Sequence, residues 1–141
     1  MDVLSDRWTF LILREGFFGV RRYGHMQRNL GIPRNVLADR LRQLVAHGMF
    51  ERVRYRTDPD WYEYRLTERA VDLYPAIVAL MRWANQHLAT EGEAAGIELI
   101  HRSCGKPADL ELTCAHCHEP VSGRDIHATG PLIDGRSGAR G

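Results

Sequence analysis

The run Ile32-Pro33-Arg34-Asn35-Val36-Leu37-Ala38-Asp39-Arg40-Leu41-Arg42-Gln43-Leu44-Val45, continued by Phe50 to Arg56 and Trp61 to Leu66, decides how this chain is read. Leu37, Leu41 and Leu44 recur at i, i+4 and i+7, so one stripe of a helix is apolar and must face inward. Asn35, Asp39 and Arg42 share the opposite side by the same spacing, with Arg34 at the leading end. Pro33 suits a first helical turn, where its missing N–H would have no partner anyway. Gly48, just after His47, is a natural left-handed terminator. The pattern predicts a helix over Pro33–His47.

A ribbon follows at once. Val53 and Tyr55 alternate with Arg52, Arg54 and Arg56, which predicts a strand with one apolar face and one guanidinium face. Tyr62, Tyr64 and Leu66 are expected to form the matching inward face of the return strand, and Thr57-Asp58-Pro59-Asp60 is good turn chemistry between the two. Upstream, Val3, Leu4, Trp8, Leu11 and Ile12 stand at helical spacing and predict a first helix from Leu4 to Glu15, ended by Gly16 and Gly19. Val20 to Tyr23 is expected as a short strand against the ribbon. Tyr23 to Leu30 reads as a second helix with Met26 and Leu30 buried, and Gly31-Ile32-Pro33 as a tight turn. Helix, tight turn, helix, then a two-stranded wing gives a fold class of mainly α with a small β-ribbon: a winged helix-turn-helix.

Thr67 reads as the N-cap of a long helix towards Leu88, with Pro75 expected to kink it. Val71, Tyr74, Val78, Met81 and Leu88 form one apolar stripe, and Leu73, Ile77, Leu80 and Trp83 a neighbouring one. That is wider than one small core needs. Large exposed apolar patches are rare, so Tyr74, Val78, Met81 and Leu88 are expected to pack on a second copy of the chain. The organisation expected is a domain over 1–90, a linker and cysteine-bearing segment over 91–128, and a disordered tail over 129–141.

With 141 residues and 44% apolar content, the chain supports one domain with a core plus a small appendage. The net charge of +1 hides an asymmetry. From Arg21 to Arg56 nine arginines stand against two acids, an excess of seven positive charges, whereas from Thr57 to Ile100 three arginines stand against eight acids, an excess of five negative charges. A basic face of this kind attracts polyanions. A short cationic helix fits the major groove of double-stranded DNA while a basic ribbon reaches the flanking phosphates. No apolar run approaches the roughly 20 residues of a membrane span, and no signal-peptide pattern opens the chain, so a cytoplasmic protein is expected. No nucleophile–base spacing or phosphate loop appears, and catalysis is not expected.

The stretches Asp6-Arg7-Trp8-Thr9-Phe10-Leu11-Ile12-Leu13-Arg14-Glu15, Arg21-Arg22-Tyr23, Pro33-Arg34-Asn35-Val36-Leu37-Ala38-Asp39-Arg40-Leu41 and Tyr62-Glu63-Tyr64-Arg65-Leu66-Thr67 resemble, in order and spacing, the HxlR-type winged helix-turn-helix regulators related to the MarR group. The resemblance covers Met1 to about Leu88. It implies a homodimeric bacterial transcription regulator on a partly palindromic operator, answering to a small-molecule or redox effector. On that reading Pro33–His47 is the recognition helix and Arg52–Arg65 the wing. Arg34 and Asn35 would meet base edges, Asp39 would accept from cytosine or orient Arg42, and Arg40 would reach DNA or hold a neighbouring carboxylate. Arg54 and Arg56 would meet phosphate or the minor groove, and Arg21 and Arg22 would add contacts or support the short strand. Family members usually carry a further helix before the position of Asp6, which helps build the dimer and often holds a redox-active cysteine. Five residues precede Asp6 here, so either the chain starts further upstream or the dimer rests on the C-terminal helix alone.

His101, Cys104, Cys114 and Cys117 read H-x2-C-x9-C-x2-C. Two ligand pairs joined by a short connector suit a tetrahedral zinc ion, structural because four protein ligands leave no open position. His116 or His118 are alternative nitrogen ligands, and His25, His47, His87 and His127 stand alone. The competing expectation for Cys104, Cys114 and Cys117 is a thiol-based redox sensor closing to a disulfide. For the whole chain, the alternative to a DNA-binding regulator is a protein–protein adaptor that keeps the winged fold.

Overall fold

The computed structural model describes residue 4, residues 6–88 and residues 98–130. The chain divides into two compact units, Met1–Ala95 and Gly96–Gly141. The expected linker before residue 98 and nearly all of the expected tail lie outside the described residues, as does Val3. Within the first unit the order is α1 (Arg7–Phe17), α2 (Tyr23–Leu30), α3 (Arg34–Ala46), β1 (Phe50–Arg56), β2 (Trp61–Leu66), α4 (Glu68–Val71) and α5 (Tyr74–His87). Among the described residues no helix is long and apolar enough to cross a membrane.

The first helix begins later than its apolar spacing predicts, because Asp6 caps it. The Asp6 carboxylate accepts the backbone N–H groups of Trp8 and Thr9 at 2.9 and 3.1 Å and the Thr9 hydroxyl at 2.8 Å. That satisfies donors a helix start otherwise leaves open. Gly16 does not end α1 but lies inside it. A Cβ there would sit 2.9 Å from Phe50 Cζ and 3.0 Å from Leu66 Cδ2, so glycine lets the helix approach the ribbon. Gly19, at φ +85, makes the turn after the helix.

Ile12, Leu13, Met26, Ile32, Leu37, Leu41, Leu44, Met49, Phe50 and Ala70 form the core, with Trp8, Phe17, Tyr23, Tyr64 and Leu66 packed around it. Glu15 is buried in α1 and accepts from Asn29 Nδ2 at 2.8 Å, tying α1 to α2. Gly31 closes α2 in the left-handed conformation, as a helix C-terminus favours. Val20 to Tyr23 is not a strand. A single backbone bond, Tyr64 N–H to the Arg21 carbonyl at 2.7 Å, holds this segment to β2.

The ribbon has the predicted limits but different faces. β1 and β2 pair antiparallel with Phe50 opposite Leu66, Arg52 opposite Tyr64 and Arg54 opposite Tyr62, and the register shifts between Arg54 and Arg56. Cross-strand partners share a face, so Arg52 and Arg54 lie with the tyrosines rather than away from them. Val53 instead pairs with Glu63. Glu63, buried, is held by Arg65 at 2.6 Å.

Thr67 caps α4 as predicted, accepting from Ala70 N–H at 3.3 Å, but the long helix does not form. α4 stops at Val71 and α5 begins at Tyr74 with Pro75 in its first turn. Proline lacks the N–H that a continuous helix needs there, so it starts a helix rather than kinking one. Thr67 also donates to the Gly48 carbonyl, and its N–H bonds the Met49 carbonyl at 3.1 Å, which closes the base of the ribbon.

The capped start of α1 yields a test. Burial pushes the Asp6 carboxyl up, but hydrogen bonds from the Thr9 side chain and backbone and the Arg40 guanidinium beside it outweigh this and hold it below the ordinary carboxylate range. A group depressed in the folded state stabilises fully above its unfolded value, about 3.9, and loses that contribution as pH falls through the folded value. Asp6→Ala should therefore cost about 1 kcal/mol in denaturant melts near neutral pH, Asp6→Asn less, and the gap between wild type and Asp6→Ala should narrow below about pH 4.

Candidate nucleic-acid interface

The leucine stripe fixes what α3 shows to solvent. Leu37, Leu41 and Leu44 are buried, and Arg34, Asn35, Arg42 and Gln43 are exposed along the other side. No side chain caps the start of α3, where Pro33 takes the cap position, and the first turn holds no acid. Its leading N–H groups and the positive end of the helix dipole are thus available to an anion. Tyr23 sets where that end sits: its hydroxyl donates to the Arg34 carbonyl, while Gln27 Nε2 donates to the Ile32 carbonyl at 3.3 Å. Tyr23 and Gln27 escaped the sequence reading, since tyrosine and glutamine in a short helix carry no signal of a partner in the next one.

Arg40 is held by carboxylates within the domain. Its Nε lies 3.0 Å from the Asp6 carboxylate, close enough for an ion pair though not aimed as a hydrogen bond, and its Nη1 donates to Asp39 at 2.8 Å. The guanidinium therefore joins α3 to the cap of α1, the alternative raised for it. Asp39 takes three donors, from Arg40, from Arg42 at 3.5 Å and from Gln43 Nε2 at 3.1 Å. With its oxygens occupied by side chains of its own helix, it acts on the outward face mainly by placing Arg42 and Gln43.

The ribbon adds its cations through aromatic rings. Arg52 stacks over Tyr62 with 3.7 Å to the ring centroid, Arg22 over Tyr55 at 4.7 Å, and Arg56 over Trp61 at 5.3 Å. Such stacking holds the apolar stems in place while the charged heads stay exposed. Arg54 is exposed and lies 3.5 Å from Asp60 at the ribbon tip, so part of its charge is offset. Between α3 and the ribbon runs a groove of about 250 Å³ lined by Tyr23, Ala38, Arg42, Val45, Arg52 and Tyr64. Arg52 thus faces Arg42 across an aromatic floor, a juxtaposition that alternation within one strand could not reveal. Arg22 lines a second groove of about 300 Å³ with Tyr55, Trp61 and Tyr62. Arg21 is exposed at the segment held to β2.

The residues expected to meet a second copy divide differently. Val78 is 5% exposed and belongs with Ile77 to the chain's own packing, and Tyr74 meets Phe17 edge-on at 5.2 Å. Both are held within the first unit. Met81 is half-buried. Leu88 of the expected set is exposed at 64%, and beside it Leu80 and Trp83 are exposed at 50% and 52%.

In the second unit, described by itself, His101 Nδ1 and Cys104 Sγ lie 3.4 Å apart. Cys114 is paired with Cys117, whose backbone N–H, together with that of His116 and the Cys117 thiol, bonds its sulfur and draws its thiol below the ordinary value. All three cysteines are free. Among the described residues no three His, Cys, Asp or Glu side chains are gathered where one metal ion could be held, so the four expected ligands stand as two pairs.

The model of the HxlR-like helix-turn-helix family matches residues 3–92. An uncharacterized HTH-type transcriptional regulator of Mycobacterium tuberculosis, Rv3095, is 51% identical over 126 residues, covering 89% of this chain and 79% of that protein. A second, sll1512 of Synechocystis, is 37% identical over 92 residues, covering 64% of this chain and 68% of that protein. The solved structure of PA1607, a candidate transcription factor, superposes with a TM-score of 0.78 at 33% identity, covering 91% of this chain and 89% of that one. The redox regulator HypR in its reduced form gives 0.57 at 28% identity, covering 60% of this chain and 85% of that one.

The two arginines of α3 separate cleanly in a stability measurement. Arg40→Ala should lower stability by about 1 kcal/mol, since it leaves a partly buried carboxylate short of its cation, whereas Arg42→Ala, at an exposed site, should stay within about 0.5 kcal/mol of wild type. Equal melting midpoints for the two variants would contradict these roles.

Proposed function

This chain belongs to the HxlR-like helix-turn-helix family, and from that premise we propose that it is a transcriptional regulator which binds duplex DNA as a homodimer. The observation that carries the reading is the outward face of α3, with Arg34, Asn35 and Arg42 exposed opposite three buried leucines and Arg52 facing Arg42 across the groove. α3 enters the major groove with its leading end. Arg34 and Asn35 meet base edges there, where an arginine pairs with guanine and an asparagine with adenine. Arg42 and Arg52 meet phosphate, and Arg54, Arg56, Arg21 and Arg22 extend the basic surface along the duplex. Arg40 is left out of the contact set because Asp6 and Asp39 hold it.

The dimer rests on Leu80, Trp83 and Leu88, apolar residues exposed along the last turns of α5 and at its C-cap, which is uncommon for a chain that stays alone. A two-fold pairing through this helix would carry both copies of α3, and recognition helices one turn of DNA apart, roughly 34 Å, read a partly palindromic site. Trp83→Glu should convert the dimer to a monomer in sedimentation and weaken DNA binding at least tenfold, because one half-site no longer supports the other. An unchanged dimer would remove α5 from the interface.

Selection from a pool of random duplexes tests the reading as a whole. Wild type should enrich a partly palindromic sequence. Arg34→Ala and Asn35→Ala should each relax one position of it, at a cost of about 1–3 kcal/mol, while Arg42→Ala weakens all sequences alike. A protein–protein adaptor would enrich nothing.

A further inference from the structure

The second unit repeats one backbone pattern after thirteen residues, and the proposed DNA-binding face draws no residue from it. His101 N–H donates to the Lys106 carbonyl at 2.9 Å, and Cys114 N–H to the Glu119 carbonyl at 3.0 Å. Gly105 N–H donates to the His101 carbonyl at 2.8 Å, and His118 N–H to the Cys114 carbonyl at 2.9 Å. Ala108 N–H reaches the Leu99 carbonyl at 2.7 Å, and Val121 N–H the Leu112 carbonyl at 2.8 Å. Ile100 bridges Pro107 as Thr113 bridges Pro120. Even the left-handed residue recurs, Gly105 at φ 69 and His118 at φ 62, although a non-glycine residue rarely adopts it.

Two segments of different sequence therefore fold into the same tight turn. They share Leu99 with Leu112 and Pro107 with Pro120, and each carries a metal-ligating side chain at the first position with a cysteine three residues on: His101 with Cys104, and Cys114 with Cys117. In the first turn the imidazole and thiol are already 3.4 Å apart. We propose that the two turns are halves of one zinc site, with His101, Cys104, Cys114 and Cys117 as its ligands and the short connector Asp109-Leu110-Glu111 as the hinge on which they close.

The repeat selects the histidine. His101 occupies the position of Cys114, whereas His116 corresponds to Ser103 and His118 to Gly105, places that carry no ligand in the other turn. Three thiolates and an imidazole favour zinc over magnesium or calcium. Four protein ligands make the site structural. In the described structure the pairs are separate, so the ion itself would supply the free energy that brings them together, with loss of three thiol protons on binding. The unit's order rests on backbone hydrogen bonds rather than a core: Cys104, Cys117, Ile100, Leu110, Leu112 and Ile126 are all exposed.

The test uses the full chain, purified reduced and without chelator. Elemental analysis should find about one zinc per chain, and cobalt(II) added to the metal-free protein should give thiolate charge-transfer and tetrahedral visible bands that saturate at about one equivalent. Cys114→Ser and Cys117→Ser should abolish the charge-transfer intensity of a full site. His101→Ala should weaken cobalt binding more than about tenfold, while His116→Ala and His118→Ala change it less than about threefold. The helical circular dichroism of the first unit, unchanged across the set, separates loss of metal from loss of fold. Zinc below about a tenth of an equivalent with no cobalt bands overturns the site. Saturation at about half an equivalent would mean ligands from two chains and overturn the single-chain closure, and an effect of His118→Ala equal to that of His101→Ala would overturn the repeat-based ligand set.

Discussion

Burial of Leu37, Leu41 and Leu44 fixes the rotation of α3 about its own axis, and every assignment on its outward face depends on that constraint. Turning the helix by one position would take apolar side chains out of the core, at roughly 1.5–3 kcal/mol for each leucine exposed. Neither solvent nor a ligand supplies that easily. Arg34, Asn35 and Arg42 are thus presented as a consequence of packing, before any partner arrives. Two polar devices then set the helix's position lengthwise and sideways. Tyr23 holds the leading end through the Arg34 carbonyl, and Arg40 holds the flank against Asp6.

The wing is built on a different principle. Two of its arginines lie over aromatic rings, Arg52 on Tyr62 and Arg56 on Trp61, while Arg54 and Arg65 face carboxylates of Asp60 and Glu63. A long flexible cation loses rotamer freedom when it binds a phosphate, and stacking removes part of that loss in advance. Arg52 also lines the groove that α3 shares with the ribbon. Shape and charge are therefore coupled at the one place where the helix and wing meet.

How much of this was legible in the sequence follows from which physics each feature obeys. Periodicity within one element was readable, so the leucine stripe, the α3 limits, the two strands and the Thr67 cap were all evident. Relations between elements were not. Alternation orders the faces of a single strand, but register decides which residues of the partner share them, and that placed Arg52 and Arg54 with the tyrosines. The helix expected to run through Pro75 breaks there, and α5 buries Ile77 and Val78, one from each apolar stripe, while Leu80 and Trp83 lie at the surface. The Asp6–Arg40 pair spans two helices far apart in sequence and left no local trace. In the second unit the spacing of the cysteines was visible, but the equivalence of His101 with Cys114 emerged only from matching backbone hydrogen bonds.

The proposed engagement of duplex phosphates by the guanidinium surface of α3 and the wing is read from the salt dependence of binding. The logarithm of the association constant should fall linearly with the logarithm of salt concentration, and an Arg42→Ala, Arg52→Ala double variant should lower the slope by about two for each chain bound, since each lost phosphate contact removes nearly one released counterion. A wild-type slope near zero, or a double variant with the wild-type slope, would contradict the account.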